Sequence, residues 1–234
     1  MNEFCDFQTN LDEAENFILK KLYSSALDEL RQIPCDDLSL KGIRLCMSIG
    51  IGDEDLISQI REFFEIIIKV KPSLKGEAYY ILGDLFAFKK DKRTARKFFR
   101  KAYYNGFDGA LLLATNLLDV GEYKLTIMIC EKFLNSPEKN NPNHNGPLYR
   151  LMAEASIKLE KFDDAIVYLE KAVCENSVHL HSCKELALIH EELQEKGKAK
   201  DLWQNIVAMG AGNSVSDRRI YNMAISRLRR SWYA

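Results

Sequence analysis

Residues Glu77–Ala102, EAYYILGDLFAFKKDKRTARKFFRKA, contain two helical patterns separated by a polar break. Tyr79, Leu82, Gly83 and Phe86 fall at i, i+3, i+4 and i+7, which places them on one side of a helix. Gly83 sits between large residues, where a second helix can come close. The run Lys89–Lys90–Asp91–Lys92 interrupts the pattern and supplies a turn, after which Ala95, Phe99 and Ala102 resume it. The stretch therefore predicts two short helices folded against each other.

The same grammar recurs on both sides. A first hairpin is expected over Leu11–Ile33, with Ala14 and Phe17 facing Tyr23, Ala26, Leu30 and Ile33. A second, Leu38–Val70, carries Ile43, Cys46 and Met47, a Gly50–Asp53 turn, then Ile57, Ile60, Phe64 and Ile67. Phe107 opens a fourth, with Leu113, Ala114 and Leu117, a turn at Gly121–Tyr123, then Ile127, Cys130 and Phe133. The polar stretch 135–147, NSPEKNNPNHNGP, reads as a loop inserted between repeats. The fifth hairpin has Tyr149, Met152, Ala153 and Ser156 against Phe162, Ala165, Leu169 and Ala172. The sixth has Cys183, Leu186, Ala187 and His190 against Ala199, Trp203 and Ile206. After Gly210–Ala211–Gly212, residues 215–232 read as a closing helix with Ser216 as its N-cap candidate. Ala153 to Ala187 and Ala165 to Ala199 are both 34-residue steps, and Gly83 to Ala114 is 31. β-Branched alternation is almost absent, so the class is all-α.

In these residues the chain resembles the tetratricopeptide repeats, whose pattern is W-x2-L-G-x2-Y…A-x3-F…P at a period of about 34 residues. Tyr79, Leu82, Gly83, Phe86, Ala95, Phe99 and Ala102 match it, as do Tyr149, Met152, Ala153, Phe162, Ala165, Leu169 and Ala172. Leu186, Ala187, Ala199 and Trp203 carry the match in the sixth hairpin. The resemblance implies one domain over 1–234, a right-handed superhelical solenoid of about six antiparallel hairpins, with 215–232 as its capping helix. It also implies ligands on the concave surface made by each first helix. Positions offset from the packing residues point there: Tyr80, Asp84, Phe88, Leu111, Thr115, Leu118, Arg150, Glu154, Lys184, Leu188 and Glu191. Such a surface suits a partner peptide or helix. Family members that grip a chaperone's C-terminal carboxylate use Lys and Asn, then Asn, then Lys and Arg, on successive first helices. Here those places hold Tyr80 with Asp84, Leu112, and Pro147 with Leu151; one hairpin later they hold Leu111 with Thr115, Leu151, and His181 with Glu185. Neither frame makes that clamp.

Bulk properties narrow the function classes. Of 234 residues, 47% are hydrophobic, which excludes general disorder. No apolar run approaches the about 20 residues of a membrane span. The acidic start, MNEFCDFQTN, has no signal-peptide pattern. Cys5, Cys35, Cys46, Cys130, Cys174 and Cys183 are scattered, mostly on apolar faces, and read as reduced thiols of an intracellular protein, cytoplasmic or nuclear. The net charge of −1 hides an asymmetry. Residues 1–40 carry nine acids and three bases, whereas 196–234 carry eight bases and two acids. No cofactor or catalytic motif is present, so the expectation is a non-enzyme. His179-x-His181-x-Cys183, with Cys174 and His190 nearby, lacks the tight pairs of a zinc site, and no metal is expected.

One further surface stands out. Lys89–Lys101 holds eight bases and one acid, and Arg93, Arg96, Lys97 and Arg100 share the helix face opposite Ala95, Phe99 and Ala102. This convex stripe offers an alternative function, binding of RNA or phosphate. The primary expectation is a scaffold or adaptor whose partners are other proteins in a multiprotein complex; nucleic acid and membrane insertion are disfavoured.

Overall fold

The computed structural model describes residues 3–34, 38–136, 142–174, 179–212 and 214–229. Cys35, the centre of the 135–147 stretch and the C-terminal tail Trp232–Tyr233–Ala234 lie outside them, as do the side chains of Cys5 and His179. Every regular element described is helical. In order they are α1 (Glu3–Leu19), α2 (Tyr23–Gln32), α3 (Leu40–Gly52), α4 (Ile57–Val70), α5 (Lys75–Phe88), α6 (Lys92–Tyr104) and α7 (Ala110–Asp119). Then follow α8 (Tyr123–Leu134), α9 (Pro142–Lys158), α10 (Phe162–Cys174), α11 (His179–Glu192), α12 (Lys196–Met209) and α13 (Val215–Leu228). The helices form a solenoid of hairpins, as the spacing predicts. None is long and apolar enough to cross a membrane among the described residues.

The hairpins share one turn. Lys21, Lys90, Gly121, Glu160 and Gln194 each have a positive φ, and each stands two residues before a helix: α2, α6, α8, α10 and α12. In four of them the next backbone N–H reaches back five residues: Leu22 to Phe17, Asp91 to Phe86, Lys161 to Ser156, and Glu195 to His190. This bond satisfies a carbonyl at the helix end and reverses the chain within three residues. The α3–α4 connection is the exception. Gly50 and Gly52 are helical, and the break comes at Asp53, followed by a 3₁₀ turn over Glu54–Leu56. The expected Gly50–Asp53 turn is thus displaced, because the Asp53 carboxylate accepts from the Asp55 N–H and starts a new turn there.

Two other boundaries move. Helix α9 begins at Pro142, inside the stretch read as loop, and continues through Pro147. Helix α13 is capped by Ser214 instead of Ser216. The Ser214 side chain accepts from the Asp217 N–H while the Asp217 carboxylate accepts from the Ser214 N–H.

The chain divides into two compact units, Met1–Val120 and Gly121–Ala234. In the first, α3 packs on α1 and α2, α5 on α3 and α4, and α6 on α5. Ile43, Ile49, Ile60, Phe64, Ile67, Leu82 and Phe99 form its fully buried interior. In the second, α9 packs on α8 and α10, α11 on α10 and α12, and α13 closes over α11 and α12. Trp203 is fully buried there among Cys183, Ala187, Ala199, Ile206, Ile220 and Ala224. Each helix buries one face on its neighbours, which no hairpin could do alone.

Candidate functional site

In the first unit the candidate surface lies where α5 meets α7. Helix α5 is covered by several neighbours, so it is buried nearly all round: Ala78, Tyr80, Ile81, Leu82, Gly83 and Leu85 are buried. Tyr80, expected to project into open space, is only 8% exposed. Its ring stacks on Phe107 at 4.1 Å between centroids. Its hydroxyl accepts from the Asn116 Nδ2 at 3.2 Å, and the same nitrogen donates to Asp84 Oδ1 at 3.3 Å. Burial, then the Asp84 charge, push the Tyr80 hydroxyl up to about 12, against the opposing Asn116 hydrogen bond. Burial likewise raises the half-buried Asp84 carboxyl, with Asn116 again opposing. Among the described residues no cation pairs with Asp84. One turn along α5, Phe88 is 49% exposed; Leu111, Leu112 and Thr115 of α7 are exposed as well. Leu118 is not: it is buried.

Asn116 is the residue the sequence reading passed over. Its signal was a lone amide within the apolar run Leu111–Leu118, LLLATNLL.

In the second unit a cleft of about 210 Å³ opens between α9 and α11. Arg150, Glu154, Ile157 and Lys158 line one side, His181 and Glu185 the other, and Leu169 of α10 lies beneath. Arg150 pairs loosely with Glu154 at 3.8 Å, and Glu185 with Lys184 at 2.6 Å. Arg150 and Glu154 are on the cleft, whereas Lys184, Leu188 and Glu191 are not among the residues that line it. Leu188 packs against the Trp203 cluster. Glu191 accepts from Trp203 Nε1 at 2.9 Å and pairs with Arg227 at 2.5 Å, so it fastens α12 and α13 to α11. Lys158, His181 and Glu185 take their place on the cleft.

The basic run of α6 is partly stitched into the fold. Lys92 Nζ donates to the Asp119 carbonyl at 3.0 Å and Arg96 to that of Val120 at 2.7 Å. These two cations satisfy orphan carbonyls and meet the negative end of the α7 dipole. Lys89 donates to the Glu54 carbonyl, and Lys101 lies 5.1 Å over the Tyr79 ring. Arg93, Lys97 and Arg100 remain exposed on the stripe.

Thiols and imidazoles are dispersed. Cys46, Cys130 and Cys183 are buried, whereas Cys174 is exposed. Burial pushes the Cys46 and Cys130 thiols up to about 12. His190 bonds Glu195 through Nδ1, and His181 meets Ser216 at 3.1 Å. No group of three potential ligands gathers among the described residues.

Comparison with known proteins follows the same lines. The tetratricopeptide repeat family model matches residues 76–104. No curated protein matches the chain by sequence. Among solved structures, YrrB, described as a TPR protein with an unusual peptide-binding site, superposes with a TM-score of 0.58 at 15% identity, covering 87% of this chain and 97% of its own. The quorum sensor NprR from B. thuringiensis gives 0.56 at 16%, over 96% of this chain and 70% of its own. PilF of Pseudomonas aeruginosa gives 0.52 at 13%, over 100% and 97%.

Proposed function

We propose that this chain, a TPR-like helical repeat protein, is a non-enzymatic scaffold that holds a peptide or helical segment of a partner protein against its first helices. The carrying observation is the α9–α11 cleft, where charged groups of both signs rim an apolar floor of Ile157 and Leu169. A mixed rim over an apolar floor suits a segment with an apolar anchor and flanking charges. The fold supports the same reading, since YrrB, which shares it, is described by its peptide-binding site. On this reading the partner belongs to a multiprotein complex and the chain itself performs no catalysis.

The test is affinity capture with mass spectrometry on three proteins: wild type, Arg150→Glu/Glu185→Lys, and Arg93→Glu/Lys97→Glu. Partners lost only from the cleft variant support the scaffold reading. Partners retained by both variants, or lost only with the stripe, overturn it. Nucleic acid recovered with wild type and lost with the stripe variant would establish the RNA- or phosphate-binding alternative. The stripe variant deliberately spares Lys92 and Arg96, because changing them would unfasten the end of α7.

A further inference from the structure

Asp84 is at odds with its surroundings. It is a half-buried carboxylate on an apolar inner surface, held by one neutral amide and opposed by no cation among the described residues. A carboxylate removed from water is costly unless a positive partner or several donors compensate. The Asn116 amide has two N–H donors and gives one to Tyr80 and one to Asp84, so Asp84 receives a single neutral donor from it. The second carboxylate oxygen of Asp84 and the Asn116 carbonyl oxygen are acceptors, so the polar centre of this surface asks for donors. Exposed apolar groups flank it: Phe88 one turn beyond Asp84, and Leu112 one turn before Asn116. The Tyr80 ring, whose hydroxyl meets the Asn116 amide, is fixed by its stack on Phe107.

We propose that Asp84 and Asn116 form a subsite for an Arg or Lys side chain of a partner protein, with Phe88 and Leu112 receiving an adjacent apolar side chain. This rests on the scaffold reading and names the chemistry of the segment bound in the first unit. A guanidinium fits best, because its planar fork can donate to the carboxylate and the amide oxygen together. Arg44, which reaches α5 from α3, is paired there with Glu77 at 2.8 Å.

The test selects short random peptides displayed on phage against the immobilised full chain, then measures synthetic copies of those selected. The expected result is enrichment of Arg or Lys beside an apolar residue. Replacing that Arg by Gln in the peptide should weaken binding about tenfold or more. Asp84→Asn, which preserves shape and the Asn116 hydrogen bond, should abolish the preference for the Arg peptide over its Gln copy. Phe88→Ala, at an exposed position, should weaken both peptides equally. Peptides that bind without a basic residue, or equally to Asp84→Asn, overturn the subsite and leave the scaffold reading standing. Failure to select any peptide overturns both.

Discussion

Gly76 and Gly83 lie on the same helix, but the atoms that confine them differ. A Cβ on Gly83 would stand 2.5 Å from the Phe99 ring, and one on Gly76 would stand 2.6 Å from the Phe107 backbone nitrogen and 2.8 Å from the Asn105 oxygen. A buried ring can shift a little, whereas the α6–α7 link cannot yield without moving α7. Gly83→Ala should therefore cost about 1–2 kcal/mol and Gly76→Ala about 3 kcal/mol, net of Ala's better helix propensity, read from urea midpoints. Asp84 offers a residue-scale test of a different kind. Its pKa is raised in the fold, chiefly by burial. A raised carboxyl contributes stability that is present below its unfolded pKa and lost as pH rises through the folded value. Asp84→Asn should therefore melt higher than wild type at pH 7, by no more than about 1 kcal/mol after solvent screening. That gap should close below about pH 4. A carboxylate that costs stability at neutral pH and binds a cation when a partner arrives would reconcile both measurements.

At the scale of elements, the repeated turn and the closing helix make the sharpest predictions. Lys90 occupies the left-handed region at φ 63, a conformation glycine adopts without strain. Lys90→Gly should stabilise the protein by about 0.5–1 kcal/mol in thermal unfolding, even though it adds flexibility to the unfolded chain. Beyond its apolar packing, the closing helix is tied to α11 and α12 through Glu191, which meets both Arg227 and Trp203. Arg227→Ala removes the ion pair to the mostly buried Glu191 and should cost about 2 kcal/mol. Hydrogen exchange should show α13 amides losing protection before those of α9 and α10.

At the scale of the molecule, a stack of hairpins shares stability mainly between neighbours. Trp203 is the largest fully buried side chain of the second unit, joining α11, α12 and α13. Trp203→Ala should cost about 3–5 kcal/mol locally. Amide protection should fall across α11–α13 while α5 and α6, in the other unit, keep theirs. Equal loss in both units would mean that the chain unfolds as one cooperative body.

The periodicity of Tyr79–Phe86 and Ala95–Ala102, repeated along the chain, was sufficient to specify helices, their pairing and their approximate ends. That is because 3.6-residue spacing and small residues at close crossings are local properties written in order along the chain. The same spacing placed Asp84, Phe88, Leu111 and Thr115 on accessible positions, and Arg150 and Glu154 on the cleft. It misassigned Tyr80, Leu118, Leu188 and Glu191, because a first helix is enclosed by several others, and which of its remaining faces stays open depends on partners distant in sequence. Asn116 is 36 residues from Tyr80, and Arg227 is 36 from Glu191. The basic stripe shows the same limit, since only packing reveals that Lys92 and Arg96 cap α7. In Glu77–Ala102 the sequence by itself determined a hairpin and its buried seam. Tertiary structure decided which of its polar groups were consumed in holding neighbours and left Asp84 half-buried, with no positive partner among the described residues.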